Sequence, residues 1–329
     1  MMPQKAFITG INGQDGSYLA ELLLEKGYEV HGLVRRETFE GAGNKLFNLH
    51  RILDKITLHY GSASNQLCIS KLINDIQPDE CYHLAATSFV SYDLAAETEI
   101  LANNFNSTHF LLASIKESCP KCKFYFAGSS EMFGAPSEYP QTENTVFEPR
   151  SIYGISKLAA AQLSKSYRKQ HQIFTCNGIL YNHESPRRGE AFVTRKITHQ
   201  VARIANGLVD KLVLGNLDAK RDWGYAPEYV EAMWRMLNHD EPGDYIVATN
   251  QLHTVKDIVQ CAFECVSLDY NDYVIVDEKF HRTNEKIPLV GDYTKAKRIL
   301  EWQSQKTVFQ VIEEMVAWDL YLMKQAHVV

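Results

Sequence analysis

The stretch "KAFITGINGQDGSYLAELLLEKGYEVHGLVRR", residues 5–36, decides the fold. "KAFITG" reads as a strand, "GSYLAELLLEKG" as a helix closed by Gly27, and "YEVHGLVRR" as a second strand. Between the first strand and the helix stand Gly10, Gly13 and Gly16, spaced GxxGxxG. Glycines there permit a tight turn and let backbone N–H groups approach a pyrophosphate, which also meets the positive end of the following helix. Glycine-rich turns without ligands are common. One that follows a strand and opens a helix has the context a dinucleotide site demands.

Working outward, the strand-like "ECYHLAA" (80–86) is followed by the helix "NNFNSTHFLLASIKES" (103–118) and the strand "KFYFAGSS" (123–130). The helix "YGISKLAAAQLSKSYRKQ" (153–170) and the strand "FTCNGILYN" (174–182) come next. Such alternation predicts an α/β fold, a doubly wound parallel sheet of Rossmann type with helices on both faces. Residues 1–182 read as the dinucleotide domain. Residues 183–329 read mainly as a smaller substrate-binding lobe, with further strands near 245–250 and 273–276 among helices and some elements of this half returning to the main sheet. A chain of 329 residues exceeds the roughly 250–300 residues over which one core keeps growing.

Composition excludes several classes. With 45% hydrophobic and 22% charged residues and a net charge of −6, the chain lacks the basic excess of a general nucleic-acid or membrane-surface binder. No segment approaches the roughly 20 apolar residues of a membrane span. "MMPQKAFITG" lacks the apolar core of a signal peptide, so a cytoplasmic location is expected. The seven cysteines are odd in number and scattered, which suits reduced, buried thiols. Cys119 and Cys122 form a lone CxxC without a second pair, so no metal site is expected.

The second strand ends in Arg35 and Arg36, where an NAD site usually carries an acid for the ribose 2′-hydroxyl. Two guanidiniums suit a 2′-phosphate, which favours NADP; the plainer reading is a solvated basic strand end. Farther on, Tyr153 and Lys157 stand at i and i+4, on one face of the helix that begins near Ser151. A lysine beside a tyrosine favours the phenolate, a base for a sugar hydroxyl whose carbon gives up hydride. Ser129 or Ser130, at the end of the preceding strand, could orient that hydroxyl.

The glycine turn together with YxxxK resembles the extended short-chain dehydrogenase/reductase family, whose members modify nucleotide-linked sugars. Within it, "GQDGSYLAELLLEKGYEVHGLVRR", "YNHESPRRGEAFVTRKIT", "LGNLDAKRDWGYAPEYVEAMW" and "FHRTNEKIPLVGDYTKAK" look like the GDP-mannose 4,6-dehydratase branch. The likeness runs from residue 5 to about 318. It implies a dehydration of GDP-mannose, with Ser129, Glu131, Tyr153 and Lys157 as the catalytic group. The Thr/Ser-x-Glu triplet reads Ser129-Ser130-Glu131 here, and Glu131 would remove the carbon 5 proton. For the cofactor the likeness implies Gly10, Gly13, Gln14, Asp15, Gly16, Arg35, Arg36, Ser62, Leu84, Ala85 and Ala86 beside Tyr153 and Lys157. For the GDP-sugar it implies Asn182, Arg187, Lys196, Leu217, Lys220, Arg221, Arg282 and Glu285, with Arg188 near enough to share the work.

The chain departs from the family pattern at Ser62, where an aspartate usually meets the adenine, and in "ETFEGAGNKLFNLHRIL". In relatives that segment reaches a neighbouring subunit's cofactor. That segment builds a homotetramer in relatives, and its departure here leaves a homodimer through two helices per subunit as the expectation, with a homotetramer as the alternative. The competing readings are a related GDP-sugar dehydratase acting on a manno-heptose, a GDP-sugar epimerase or ketoreductase, and a silent NADP-binding sensor. Epimerases and ketoreductases have no elimination step and no use for Glu131.

Overall fold

Strand β1 (Lys5–Thr9) is buried along nearly its whole length, as a strand covered on both faces must be. The computed structural model describes residues 3–35, 46–87, 94–277, 279 and 288–326. After β1 come α1 (Gln14–Glu25), β2 (Glu29–Val34), β3 (Thr57–Tyr60), α2 (Gln66–Ile76), β4 (Glu80–His83), α3 (Leu94–Ser118), β5 (Lys123–Ala127), α4 (Ile152–His171) and β6 (Thr175–Leu180). Then follow β7 (Asn182–Glu184), α5 (Val193–Ala205), β8 (Leu212–Leu214), β9 (Lys220–Arg221), β10 (Trp223–Tyr225), α6 (Ala226–Leu237) and β11 (Asp244–Val247). Last are β12 (His253–Thr254), α7 (Val255–Glu264), β13 (Val274–Val276), α8 (Thr294–Leu300) and α9 (Val308–Ala326).

Seven strands form one sheet in the order β11-β6-β5-β4-β1-β2-β3, every pairing parallel. The doubly wound expectation holds. Ala6 sits between Val30 and Glu80, so β1 is central. The strand order reverses between β1 and β4, and ligands of such sheets bind at the carboxyl ends of the strands beside that reversal.

Helix α1 turns Leu19, Ala20 and Leu23 to the sheet and shares a core with Val230, Met233 and Met236 of α6. It ends as expected at Gly27, whose φ of +82° lets Gly27 and Tyr28 N–H groups reach the Leu24 and Leu23 carbonyls at 3.0 and 2.9 Å. The opposite face is covered by Ile69 and Ile73 of α2, Leu111, Leu112 and Ile115 of α3, and Ala160 and Ala161 of α4. Each such leucine or isoleucine contributes about 1.5–3 kcal/mol by leaving water. A third core joins Ile197 and Val201 of α5, Ile258 and Val259 of α7, and Val311, Ile312 and Met315 of α9. The chain crosses between the cores after residue 182: α6 packs on α1's face, and β11 pairs with β6.

Ahead of β7, three elements differ from the sequence reading. Strand β3 and helix α2 were not read from it. β3 is an edge strand with partly exposed residues, so it lacks the apolar run of its neighbours. The α2 start did carry a signal, because the Asn65 side chain caps it by accepting from the Cys68 N–H at 3.0 Å. Helix α3 extends back to Leu94, ahead of the residue 103 start.

Candidate active site

The carboxyl ends of β1, β4, β5 and β6 open into a cleft of about 1080 Å³. Its floor is the glycine turn. Gly10 has φ +76°, and a Cβ on it would lie 3.0 Å from the Ala85 N, so β1 and β4 approach too closely for a side chain. A Cβ on Gly16 would fall 2.3 Å from the Gly10 carbonyl oxygen. Helix α1 then starts at Gln14 with Gly13 as N-cap and no side-chain cap. Among the described residues no side chain caps its first N–H groups, and the bare backbone beside them makes a cradle that fits a pyrophosphate.

Asp15 and Gln14 belong to that turn, and the structure gives them partners that the sequence reading missed. Asp15 Oδ2 lies 2.9 Å from His183 Nε2, and the His183 Nδ1 faces the Tyr181 carbonyl at 2.7 Å. Both ring nitrogens thus meet acceptors, which favours the imidazolium. Burial pushes His183 down, but Asp15 outweighs it and raises its pKa. Burial likewise pushes Asp15 up, yet His183 holds it below the ordinary carboxylate value. Gln14 donates to the His183 carbonyl at 3.1 Å and accepts from Ser185 Oγ at 2.8 Å. The pair compensates a carboxylate that would otherwise repel phosphate at the helix N-terminus.

Ser129, Glu131, Tyr153 and Lys157 all line the cleft. Strand β5 ends at Ala127, and Ser130–Met132 make a short 3₁₀ turn whose cap is Ser129; its Oγ accepts from the Glu131 N–H at 3.2 Å. Helix α4 is capped by Ser151, which accepts from the Gly154 N–H at 3.0 Å. Lys157 Nζ donates to the Ala127 carbonyl at 2.7 Å and stands 5.9 Å from the Tyr153 ring centre. One finding runs against the phenolate expectation. Burial raises Tyr153 to about 12, with the Ser129 hydrogen bond opposing it and Glu131 reinforcing it. Burial also lowers Lys157 to about 8. Without further positive charge the tyrosine is a phenol, because desolvation outweighs its cationic neighbours.

Two buried side chains support this wall. His83 hydrogen-bonds Thr9 Oγ1 at 2.8 Å and Ser107 Oγ at 3.1 Å, and burial lowers it to about 3, so it is neutral. Asn104 donates to Ser156 Oγ at 3.0 Å and accepts from the Thr87 N–H at 2.9 Å, tying α3 to α4 and to the loop after β4.

The profile of the GDP-mannose 4,6 dehydratase family matches residues 7–315. GDP-mannose 4,6 dehydratase 1 of Arabidopsis thaliana is 45% identical over 340 aligned residues, covering 99% of this chain and 92% of that protein. The human GDP-mannose 4,6 dehydratase is 44% identical, with 97% and 92% covered. The chain belongs to the GDP-mannose 4,6-dehydratase family. In fold it also matches the structure of RMD from Pseudomonas aeruginosa complexed with NADPH, with TM-score 0.81, 21% identity, and 98% and 99% of the two chains covered.

Arg35, Ser62, Leu84, Ala85 and Ala86 line the same cleft as the glycine turn of this dehydratase-family chain. So do Asn182, Arg187, Arg188, Lys196 and Arg221. Arg187 is already engaged, donating to Glu21 Oε1 at 2.6 Å and Ser17 Oγ at 3.1 Å while lying over Tyr18. Arg188 lies 3.2 Å from the buried Glu184 carboxylate. Lys196 Nζ reaches the Val213 carbonyl at 2.8 Å. Leu217 and Lys220 are not part of the described wall: Leu217 packs against the α5–α7–α9 core, and Lys220 pairs with Thr254 across β9 and β12. Arg36, Arg282 and Glu285 lie outside the described residues.

Proposed function

We propose that this chain dehydrates GDP-mannose to GDP-4-keto-6-deoxymannose, using NADP. The observation that carries the reading is Glu131, a carboxylate on the wall of the cleft that also holds Ser129, Tyr153 and Lys157. Oxidation at carbon 4 of the hexose makes the hydrogen on carbon 5 acidic. Tyr153 takes the carbon 4 hydroxyl proton, Ser129 orients that hydroxyl, and Lys157 lends positive charge from its anchor on Ala127. Glu131 takes the carbon 5 proton and hands it to the departing carbon 6 hydroxyl, which leaves as water. Carbon 5 then regains a proton, the one Tyr153 took from the carbon 4 hydroxyl, as hydride reaches carbon 6. A nicotinamide held beside the glycine turn and Tyr153 would supply the hydride acceptor for carbon 4 and donor for carbon 6, together with the positive charge that favours the phenolate. No net reducing equivalent is consumed.

For NADP rather than NAD, the support is Arg35 on the cleft wall just beyond β2, where a 2′-phosphate would find a guanidinium. Asn182, Lys196 and Arg221 would hold the GDP-sugar, with Arg187 and Arg188 as further cations. The same resemblance leads us to expect a homodimer. The reading is tested by mass spectrometry after incubation with GDP-mannose and NADP: a product lighter by one water, with no net change in reduced-nicotinamide absorbance. An isomer of unchanged mass would mean an epimerase, and preference for UDP- or dTDP-sugars would overturn the guanine assignment.

A further inference from the structure

We infer that Gly154 is a positioning residue that sets the separation of Glu131 from Tyr153, an inference that rests on the dehydratase reading. A Cβ on Gly154 would fall 2.5 Å from the Glu131 carbonyl oxygen, 3.2 Å from its carbonyl carbon and 3.2 Å from the Pro149 Cβ. Backbone conformation does not require a glycine here, since Gly154 is not among the positive-φ residues. It lies in the first turn of α4, where glycine costs about 0.5–1 kcal/mol relative to alanine. The close approach of the Glu131 backbone accounts for it.

Neither side of the contact has slack. The Glu131 N–H is held by Ser129 Oγ at 3.2 Å, and the Met132 N–H by the Ser129 carbonyl at 3.1 Å. The segment between is closed by Ala135 and Glu148 N–H groups bonding the Glu148 and Phe133 carbonyls, each at 3.2 Å. That closure seats Pro149 against α4. Across the contact, α4 is fixed by its Ser151 cap and by Lys157 on Ala127. Relieving a 2.5 Å contact to ordinary packing at 3.4 Å or more moves Glu131 and the Tyr153 turn apart by about 1 Å, a misplacement that can cost about 10²-fold in rate.

The test is Gly154→Ala, assayed with GDP-mannose carrying deuterium at carbon 5. Proton removal by Glu131 becomes the slow step, so kcat falls about 10²-fold while KM stays within about threefold. The carbon 5 isotope effect on kcat rises above that of the wild type. A merely structural defect would lower the amount of active protein and leave that isotope effect unchanged, and this result, or a wild-type kcat, overturns the inference. Should Gly154→Ala not fold, Pro149→Gly loosens the same seat from the other side; the same rise is expected, and its absence overturns the inference. Wild-type protein that makes no dehydrated product overturns the dehydratase reading as well, which separates the two failures.

Discussion

Ser129, Glu131, Tyr153 and Lys157 come from one strand end and the helix that follows it, β5 and α4, whereas Arg187, Lys196 and Arg221 come from a loop, α5 and the two-residue β9. Backbone contacts and caps hold the first group, including Lys157 on the Ala127 carbonyl. Side-chain knots hold the second. Asp222, next to Arg221, accepts from the Thr249 N–H and hydroxyl at 2.9 and 2.7 Å, the Asn250 N–H at 3.0 Å and the Gly291 N–H at 3.3 Å. Damage at the β5–α4 corner should therefore appear in turnover with stability kept. Damage to the far wall should appear in folding and in nucleotide-sugar affinity.

The sharpest way to break that contrast is Glu131→Gln. Loss of a general base costs about 10²–10⁴-fold, so product formation should fall by that factor while calorimetric affinities for NADP and GDP-mannose stay near wild type. An undiminished rate removes the elimination role. Next comes Asp222→Ala, which strips the acceptor from three N–H groups and a hydroxyl. It should cost about 3 kcal/mol in urea unfolding, since each orphaned buried donor is worth about 1–3 kcal/mol, and weaken GDP-mannose more than NADP. A silent Asp222→Ala would mean that the far wall is not knotted by this side chain.

A pH profile sharpens the picture at the corner. Burial lowers Lys157 from 10.5 to about 8, so its ammonium is lost as pH rises through 8, and kcat/KM should fall about tenfold per unit above that point. Lys157→Arg, which keeps its charge, should move that limb upward. Stability should change with the opposite sign: the cost of the buried charge is present in full below pH 8, and the fold gains stability between about 8 and 10.5 as the lysine loses its proton there only in the folded state. The smallest effect belongs to Arg187→Ala. With its guanidinium already on Glu21, its loss should cost about 1 kcal/mol of stability and change the GDP-mannose Kd by less than about tenfold. A larger loss of affinity would show that Arg187 leaves Glu21 for the ligand.

The legibility of the molecule follows the same division. The glycine turn, the α1 stop at Gly27 and the Tyr153–Lys157 spacing could be read because each depends on residues within one or two turns of chain. The roles of Asp15 and Arg187 could not be read that way, because their partners, His183 and Glu21, lie more than a hundred residues away along the chain. Titration behaviour was equally hidden. The sequence shows Lys157 four residues after Tyr153, but only the packing reveals that both are buried deeply enough to pull their pKa values toward the neutral forms.

Periodicity and glycine spacing by themselves determined the doubly wound sheet and the place of the glycine turn between β1 and α1, since hydrogen bonding and side-chain volume act over neighbouring residues. Only the tertiary structure decided which charges are free to meet a ligand and which are spent on each other. Ion pairing and desolvation depend on distance through space, and that distance is set by how β1, β4, β5 and β7 converge on one cleft.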